Sequence, residues 1–439
     1  MSDGDKIWDE LDNIYDQWGI KEIPFSESAS TIGQAKIKEV FTGRTKELRE
    51  VLNLFRGRER KRLLIYGWIG IGKTAFILEI LGILQRKTKN TITAYISLPQ
   101  GMDLATAALI ALAREMEDDE WAKQQLNQMG LPTKKALRNR KVKGKANFSL
   151  AGVEVQEEVV AIQKPQFPSL SFEGLLQRAL KKSDQVVIAI DDLDKQDPAR
   201  VRQLLLDAQG ILKSGASFIF TGHPSGITRD ILIAERGLFD LALKLEAMDV
   251  DTIYEMLVKY LNSARPKKFL QRFIPWFSNA KKFQVALDDP QAVAPFTPET
   301  ARLLCERSGG VPRWLNRLGS YVLLKAAKLD ADIITPEILQ QGFAYADEQV
   351  RGQSGLTPQD FIILELVLEK GILSDANVTI DDLQRMKVNT FSEILPILDK
   401  LVQQDLLRRL PSDRTAEYAA TPLLLSPSNE DDNEEKEAD

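Results

Sequence analysis

The stretch that decides the fold reads Leu63-Leu64-Ile65-Tyr66-Gly67-Trp68-Ile69-Gly70-Ile71-Gly72-Lys73-Thr74. Its first four residues form a short apolar run, which suits a buried strand, and Thr74 to Arg86 carries helical spacing. The turn between them follows the pattern G-x-x-x-x-G-K-[ST]. Glycines leave the backbone N–H groups free to curl around a dense anion, because no Cβ blocks the approach. Gly67, Gly70 and Gly72 shape that cradle, Lys73 can reach the outer phosphates of a nucleotide, and the Thr74 hydroxyl can ligate Mg²⁺. The helix that follows adds its positive N-terminus.

A second stretch supplies carboxylates. Val186 to Ile190 is a five-residue apolar run that ends in Asp191-Asp192-Leu193-Asp194. Mg²⁺ keeps several waters, so one carboxylate at a strand end beside the phosphates is enough. Asp191 is the expected Mg²⁺ residue, acting through water. Asp192 is expected to polarise an attacking water, and Asp194 to orient a neighbour or a subunit across an interface.

Working outward, helical patterns cover Thr45 to Phe55, Leu104 to Met116, Leu175 to Lys181 and Arg200 to Leu212, and strand patterns cover Thr91 to Ser97, Ser217 to Thr221 and Leu241 to Leu245. Strands alternating with helices predict a parallel sheet covered on both faces. Asp118 to Pro168 reads as irregular, with a hairpin pattern over Asn147 to Val160. A short amphipathic helix is expected from Ile7 to Trp18. After Asp249 the pattern is helical to about Ala346, with a linker at Val350 to Leu356. Beyond it, helices are expected over Thr357 to Glu369, Ile380 to Lys387 (capped by Thr379) and Thr390 to Gln404 (capped by Asn389), then strands over Asp405 to Leu410 and Thr415 to Thr421.

Together these motifs resemble the AAA+ ATPases, in particular the initiator and STAND-like branches, over roughly residues 38–325. The resemblance implies an α/β fold: a three-layer P-loop NTPase core with a helical lid and a C-terminal winged helix. The implied layout is an N-terminal helical extension (1–35), the core (36–250, with a basic insertion at 131–168), the lid (251–349), the winged helix (354–426) and a disordered acidic tail (427–439). Val40-Phe41-Thr42-Gly43-Arg44-Thr45-Lys46-Glu47-Leu48 resembles the F-x-G-R-x-x-E-L entry of these ATPases, which implies that Val40 and Phe41 pack on adenine. Thr221 ends the strand expected between the other two and is the implied sensor of the γ-phosphate. Gly309-Gly310-Val311-Pro312-Arg313 matches the turn that opens the lid helix, making Arg313 the second sensor. Arg236, with Arg229 in reserve, is the implied arginine finger donated to a neighbouring subunit. Many members carry Asp-Glu where this chain has Asp191-Asp192. The shorter side chain suits a slow switch rather than a motor.

Composition bounds the function. The chain has 439 residues, 44% of them hydrophobic and 28% charged, which is globular composition. One cysteine, Cys305, and one histidine, His223, exclude an intrachain disulfide and cysteine- or histidine-rich metal sites. A loop histidine, exposed or bonded locally, is the reading taken for His223. No apolar run reaches the roughly 18 residues of a membrane span, and Met1 to Asp12 is too polar and acidic for a signal peptide, so no membrane role and a cytoplasmic location are expected. Net charge is −5, but Glu430 to Asp439 holds seven acids and one lysine. Leu131 to Lys145 holds seven bases (Lys134, Lys135, Arg138, Arg140, Lys141, Lys143, Lys145) and no acid. Such a block is either a solvated face or an electrostatic footprint for nucleic acid.

Two functions follow from the resemblance. One is an ATP-binding and hydrolysing switch that needs ATP and Mg²⁺, assembles into a ring or filament and binds DNA, as in replication initiation, transposition or mobile-element defence. The other is a STAND-like signalling ATPase that recruits or regulates a protein effector without touching nucleic acid.

Overall fold

The computed structural model describes residues 14–20, 23–25, 37–57, 59–67, 70–88, 90–133, 165–193, 198–222, 237–265, 290–353, 357–404, 406–410 and 415–421. The chain divides into two units, one of Ser28–Ala247 and one of Met1–Glu27 with Met248–Asp439.

In the first unit the elements run α1 (Thr45–Phe55), β1 (Arg62–Tyr66), α2 (Lys73–Lys87), β2 (Thr91–Ser97), α3 (Leu104–Glu115), α4 (Glu120–Gln128), α5 (Pro168–Lys182), β3 (Gln185–Asp191), α6 (Pro198–Asp207), α7 (Gln209–Leu212), β4 (Ser217–Gly222) and β5 (Leu241–Lys244). The five strands form one sheet in the order β2-β3-β4-β1-β5, every pair parallel. Parallel neighbours need crossovers, and the helices that make them cover the sheet. One face, with Leu64, Ala94, Ile188, Ile190, Phe218 and Phe220, packs in a single apolar cluster with α3 and α5. On the other face Leu63, Ile65, Val187, Ala189 and Ile219 are also fully buried. Both faces are therefore dry, and the unit is the three-layer α/β fold that the strand–helix alternation predicts.

The register carries the site. Ile190 lies opposite Phe220, Ile65 opposite Thr221, and Ser97 opposite Asp191. β4 thus lies between the loop-bearing β1 and the acidic β3, which brings Thr221 beside Asp191 at the C-terminal ends of the strands.

Several elements differ from expectation. The stretch expected to be irregular after Asp118 opens with α4, capped by the Asp119 carboxylate, which accepts from the backbone of Trp121 at 3.0 Å. Few apolar residues mark this helix, and its buried face is Ala122, Gln125 and Leu126. α5 starts at Pro168, with proline in the first turn where its missing N–H costs nothing. The helix expected over 200–212 breaks at Ala208 into α6 and α7.

In the second unit come a helical turn at 14–17, α8 (Val250–Ala264), α9 (Pro298–Arg307), α10 (Pro312–Lys328) and α11 (Pro336–Gln353). The Trp18 indole donates to the Ala331 carbonyl at 3.0 Å, and a Cβ at Gly319 would fall within 2.4–2.7 Å of the Phe25 ring, so glycine there lets the ring approach. The expected linker at Val350 is displaced, because α11 continues to Gln353. Then follow α12 (Pro358–Lys370), β6 (Ile372–Ser374), α13 (Ile380–Arg385), α14 (Leu395–Gln403), β7 (Leu407–Leu410) and β8 (Glu417–Ala420). A 3₁₀ turn, Phe391–Ile394, precedes α14, and its cap is Thr390 rather than Asn389. The strands pair in the order β6-β8-β7, antiparallel. β6 has only three residues, too few to show a period in the sequence.

Candidate active site

The glycine-rich turn runs from β1 into α2, with Trp68 and Ile69 outside the described residues. Gly70 and Gly72 hold φ of 81° and 95°, the left-handed region that side chains resist. Gly67 answers a different demand: a Cβ there would sit 2.7 Å from the Leu245 carbonyl. Lys73 is buried, and its ammonium donates to the Gly67 carbonyl at 2.9 Å, closing the turn on itself. Val40 is buried, and the half-buried Phe41 places its ring 6.3 Å from that of Phe76, in the first turn of α2. The segment expected to face adenine therefore packs at the start of the loop helix.

Thr74, Asp191 and Thr221 meet. The Thr74 hydroxyl donates to Asp191 Oδ2 at 2.6 Å, and the Thr221 hydroxyl donates to Asp191 Oδ1. The Asp192 N–H lies 3.0 Å from both Asp191 Oδ1 and the Thr221 hydroxyl oxygen. Asp191 and Thr221 are buried. Asp192 turns out of the strand with φ 65°, a conformation aspartate tolerates better than most residues, and its Oδ2 accepts from the Ser97 hydroxyl.

Three contributors were not singled out from the sequence. The Tyr95 hydroxyl donates to Asp191 Oδ2 at 2.9 Å. Burial, with Asp191 and Asp192 beside it, pushes the Tyr95 phenol far above its ordinary value, so it stays a donor. Ser97 and Tyr95 lie two apart on β2 and so share one face of the strand, a signal visible only once β2 is known to lie beside β3. Arg44 is the third. It adopts φ 59°, is buried, and donates to the carbonyls of Ile71 at 3.4 Å and Glu246 at 2.5 Å. Burial pulls its guanidinium below the ordinary value, while Glu47 at 3.2 Å pulls the other way.

Arg313 lies in the other unit, in the first turn of α10 after Pro312. Gly309 and Gly310 before it hold φ of 60° and 79°, as the predicted turn requires. Asp194, His223, Arg229, Arg236, the basic block from Lys134 to Lys145, the 147–160 hairpin and the acidic tail lie outside the described residues. Cys305 is buried, which pushes its thiol up to about 12 and removes it as a nucleophile.

A Thr hydroxyl and one carboxylate, 2.6 Å apart at a helix N-terminus, fit a hard cation that keeps its waters and shares phosphate oxygens. Among the described residues no group of three or more His, Cys, Asp or Glu could hold a metal ion. Nor is any described helix long and apolar enough to cross a membrane.

This fold and site define a parallel α/β unit of the phosphate-loop type. Residues 40–214 match the family model of the AAA ATPase domain. No curated protein matches the chain. Among solved structures it is similar to the Orc1 protein of Aeropyrum pernix in complex with DNA, at 14% identity over 88% of this chain and 91% of that one, with a TM-score of 0.47. It is also similar to Cdc6p of Pyrobaculum aerophilum (13% identity, 87% and 90% coverage, TM-score 0.39). A third is the RuvB Holliday junction branch migration motor of Thermotoga maritima (14% identity, 91% and 96% coverage, TM-score 0.38).

Proposed function

We propose that this protein is an AAA+ switch that binds and hydrolyses ATP with Mg²⁺, self-associates into a ring or filament in the cytoplasm, and binds DNA. The observation that carries the catalytic part is the meeting of Thr74, Asp191 and Thr221 at the mouth of the glycine-rich turn.

The geometry supports the following roles. The turn offers N–H groups to phosphate, and Lys73 exchanges the Gly67 carbonyl for phosphate oxygens. Thr74 and Asp191 hold the cation, which when bound neutralises charge on the β- and γ-phosphates. Asp192, fixed by Ser97 and by its own backbone, polarises the attacking water. Thr221 reports on the γ-phosphate through Asp191. The resemblance assigns Arg313 to sensing from the lid and Arg236 to acting across a subunit interface. Lys73→Ala is expected to weaken nucleotide binding, and Asp192→Asn to spare binding but slow turnover. Nucleotide titration and phosphate release check both, and undiminished hydrolysis by Lys73→Ala would overturn the reading.

For residues 357–421 the order α12-β6-α13-α14-β7-β8 and the small antiparallel sheet support a winged helix. The DNA reading rests on the basic block. One observation favours the protein-effector alternative for the winged module. Lys400, the base on α14, donates to the buried Asp360 at 2.7 Å, and Arg385 is held by Glu369 and Glu365. The exposed residues of α14 and the turn before it are Ser392, Glu393, Pro396, Asp399 and Gln403, a face that repels phosphate. Salt-dependent binding to bare DNA separates the two readings.

A further inference from the structure

Asp191 is ringed by donors of the protein itself. Thr74 and Tyr95 hydroxyls bond Oδ2 at 2.6 and 2.9 Å; the Thr221 hydroxyl and the Asp192 N–H bond Oδ1. An ionised carboxylate offers about four acceptor sites. With these donors of the described residues in place, a further donor, such as a water on a cation, enters by displacing one of them.

Three of them are poor candidates to leave. The Asp192 N–H belongs to the adjoining peptide. The Thr221 hydroxyl is fully buried and also accepts from Asp192 N–H. Thr74 has lone pairs to offer a cation while its proton stays on Asp191. Tyr95 is different: its hydroxyl sits at the far end of a long, half-buried side chain on β2 and brings no charge.

We propose that the Tyr95 hydroxyl is a place-holder on Asp191, displaced when Mg²⁺ and nucleotide bind, and that its hold sets the Mg²⁺ concentration at which nucleotide binding becomes tight. This rests on the ATP–Mg²⁺ reading and names a positioning residue which the phosphate-loop pattern does not contain. Removing the hydroxyl removes a competitor for the carboxylate, so metal-dependent binding becomes easier rather than harder. A purely structural role predicts the reverse, since a loosened Asp191 would hold the cation less well.

The test uses the full chain, with a fluorescent ATP analogue titrated across Mg²⁺ concentrations and in EDTA, for the parent and for Tyr95→Phe, which keeps the ring on β2. The Mg²⁺ midpoint is expected to fall about three- to tenfold in the variant, the size of one hydrogen bond, with affinity in EDTA unchanged. An unchanged or raised midpoint, with the parent binding normally, overturns the place-holder alone. A parent with no Mg²⁺-dependent binding removes the nucleotide reading and this inference together. Should Tyr95→Phe melt early, 3-fluorotyrosine at position 95 gives a second readout. Its ¹⁹F resonance is expected to move on adding nucleotide with Mg²⁺ and to stay on adding nucleotide in EDTA; a resonance that ignores Mg²⁺ overturns the proposal.

Discussion

The Arg44 guanidinium ends 2.5 Å from the backbone carbonyl of Glu246, 202 residues further along the chain. The same group reaches the Ile71 carbonyl inside the glycine-rich turn. One buried side chain thus ties the turn to the segment that follows β5. Nothing about nucleotide chemistry demands this arginine; what it supplies is a fixed loop.

Arg44→Met keeps much of the side-chain volume and removes the donors. The carbonyls of Ile71 and Glu246 then lose a charge-assisted partner in a buried site, which costs about 2–3 kcal/mol. The expected outcome is a lowered thermal midpoint together with weaker nucleotide binding, because a looser turn must be ordered by its ligand. A variant that melts early but binds nucleotide as the parent does would separate stability from loop order and refute the second half.

The sheet and the phosphate loop were legible because their signals are local. β1 and β3 are apolar runs that stop at glycine and at aspartate, and the stretch from Gly67 to Thr74 fixes the turn. Asp191 and Thr221 were legible as strand ends, and the strand order brings them together. Tyr95, Ser97 and Arg44 were not, since their importance comes from neighbours 96, 95 and 202 residues away. Short or polar elements failed for a related reason. α4 buries three residues, and β6 is three residues long, so neither carries enough periodicity to outweigh the loop residues around it.

Arg236→Ala is expected to abolish hydrolysis while each subunit still binds ATP, if the finger acts across an interface. Mixing this variant with Asp192→Asn should restore part of the activity, because some interfaces then pair an intact finger with an intact water-polarising residue. Phosphate release across mixing ratios checks this. No rescue at any ratio counts against Arg236 acting in trans.

Residues 357–421 carry two matched acid-sensitive caps. Asp360 and Asp382 each close a capping box with a threonine three residues before, and each meets a lysine, Lys400 at 2.7 Å and Lys370 at 2.8 Å. Burial by itself would raise the Asp382 carboxyl, but Lys370 and the Thr379 donors outweigh it and hold it at about 2. Asp360 is lowered in the same way. A carboxylate held below its unfolded value of 3.8 adds stability that is fully present above that value and lost as pH falls through the folded one. The module should therefore weaken between about pH 5 and pH 2. Solvent at the helix start screens the pairs, so each is worth about 1 kcal/mol. Hydrogen exchange over 357–421 reads the loss, and Asp382→Asn should flatten its share of the pH dependence.

The basic block decides whether this is a DNA-binding protein. Its seven bases fall in fifteen residues without an acid, while the C-terminal module holds Lys400 and Arg385 in internal pairs. If the protein meets phosphate, the block is where most counterions are released. Neutralising Lys134, Lys135, Arg138, Arg140 and Lys141 together should then weaken DNA binding and flatten its salt dependence. Each lost contact removes about 0.9 from the log–log slope on duplex DNA and about 0.7 on a single strand. Three to five lost contacts amount to a slope change of roughly three to four. Nucleotide binding by one subunit should not change, because the block lies outside the phosphate loop, the acidic strand end and both sensors in the sequence. If the seven acids of Glu430 to Asp439 compete with DNA for the protein's bases, deleting them should act in the opposite sense, tightening DNA binding most at low salt. An unchanged slope after neutralisation makes the block a solvated face. A parent protein that binds no DNA at low salt with ATP present makes the protein-effector reading the better one.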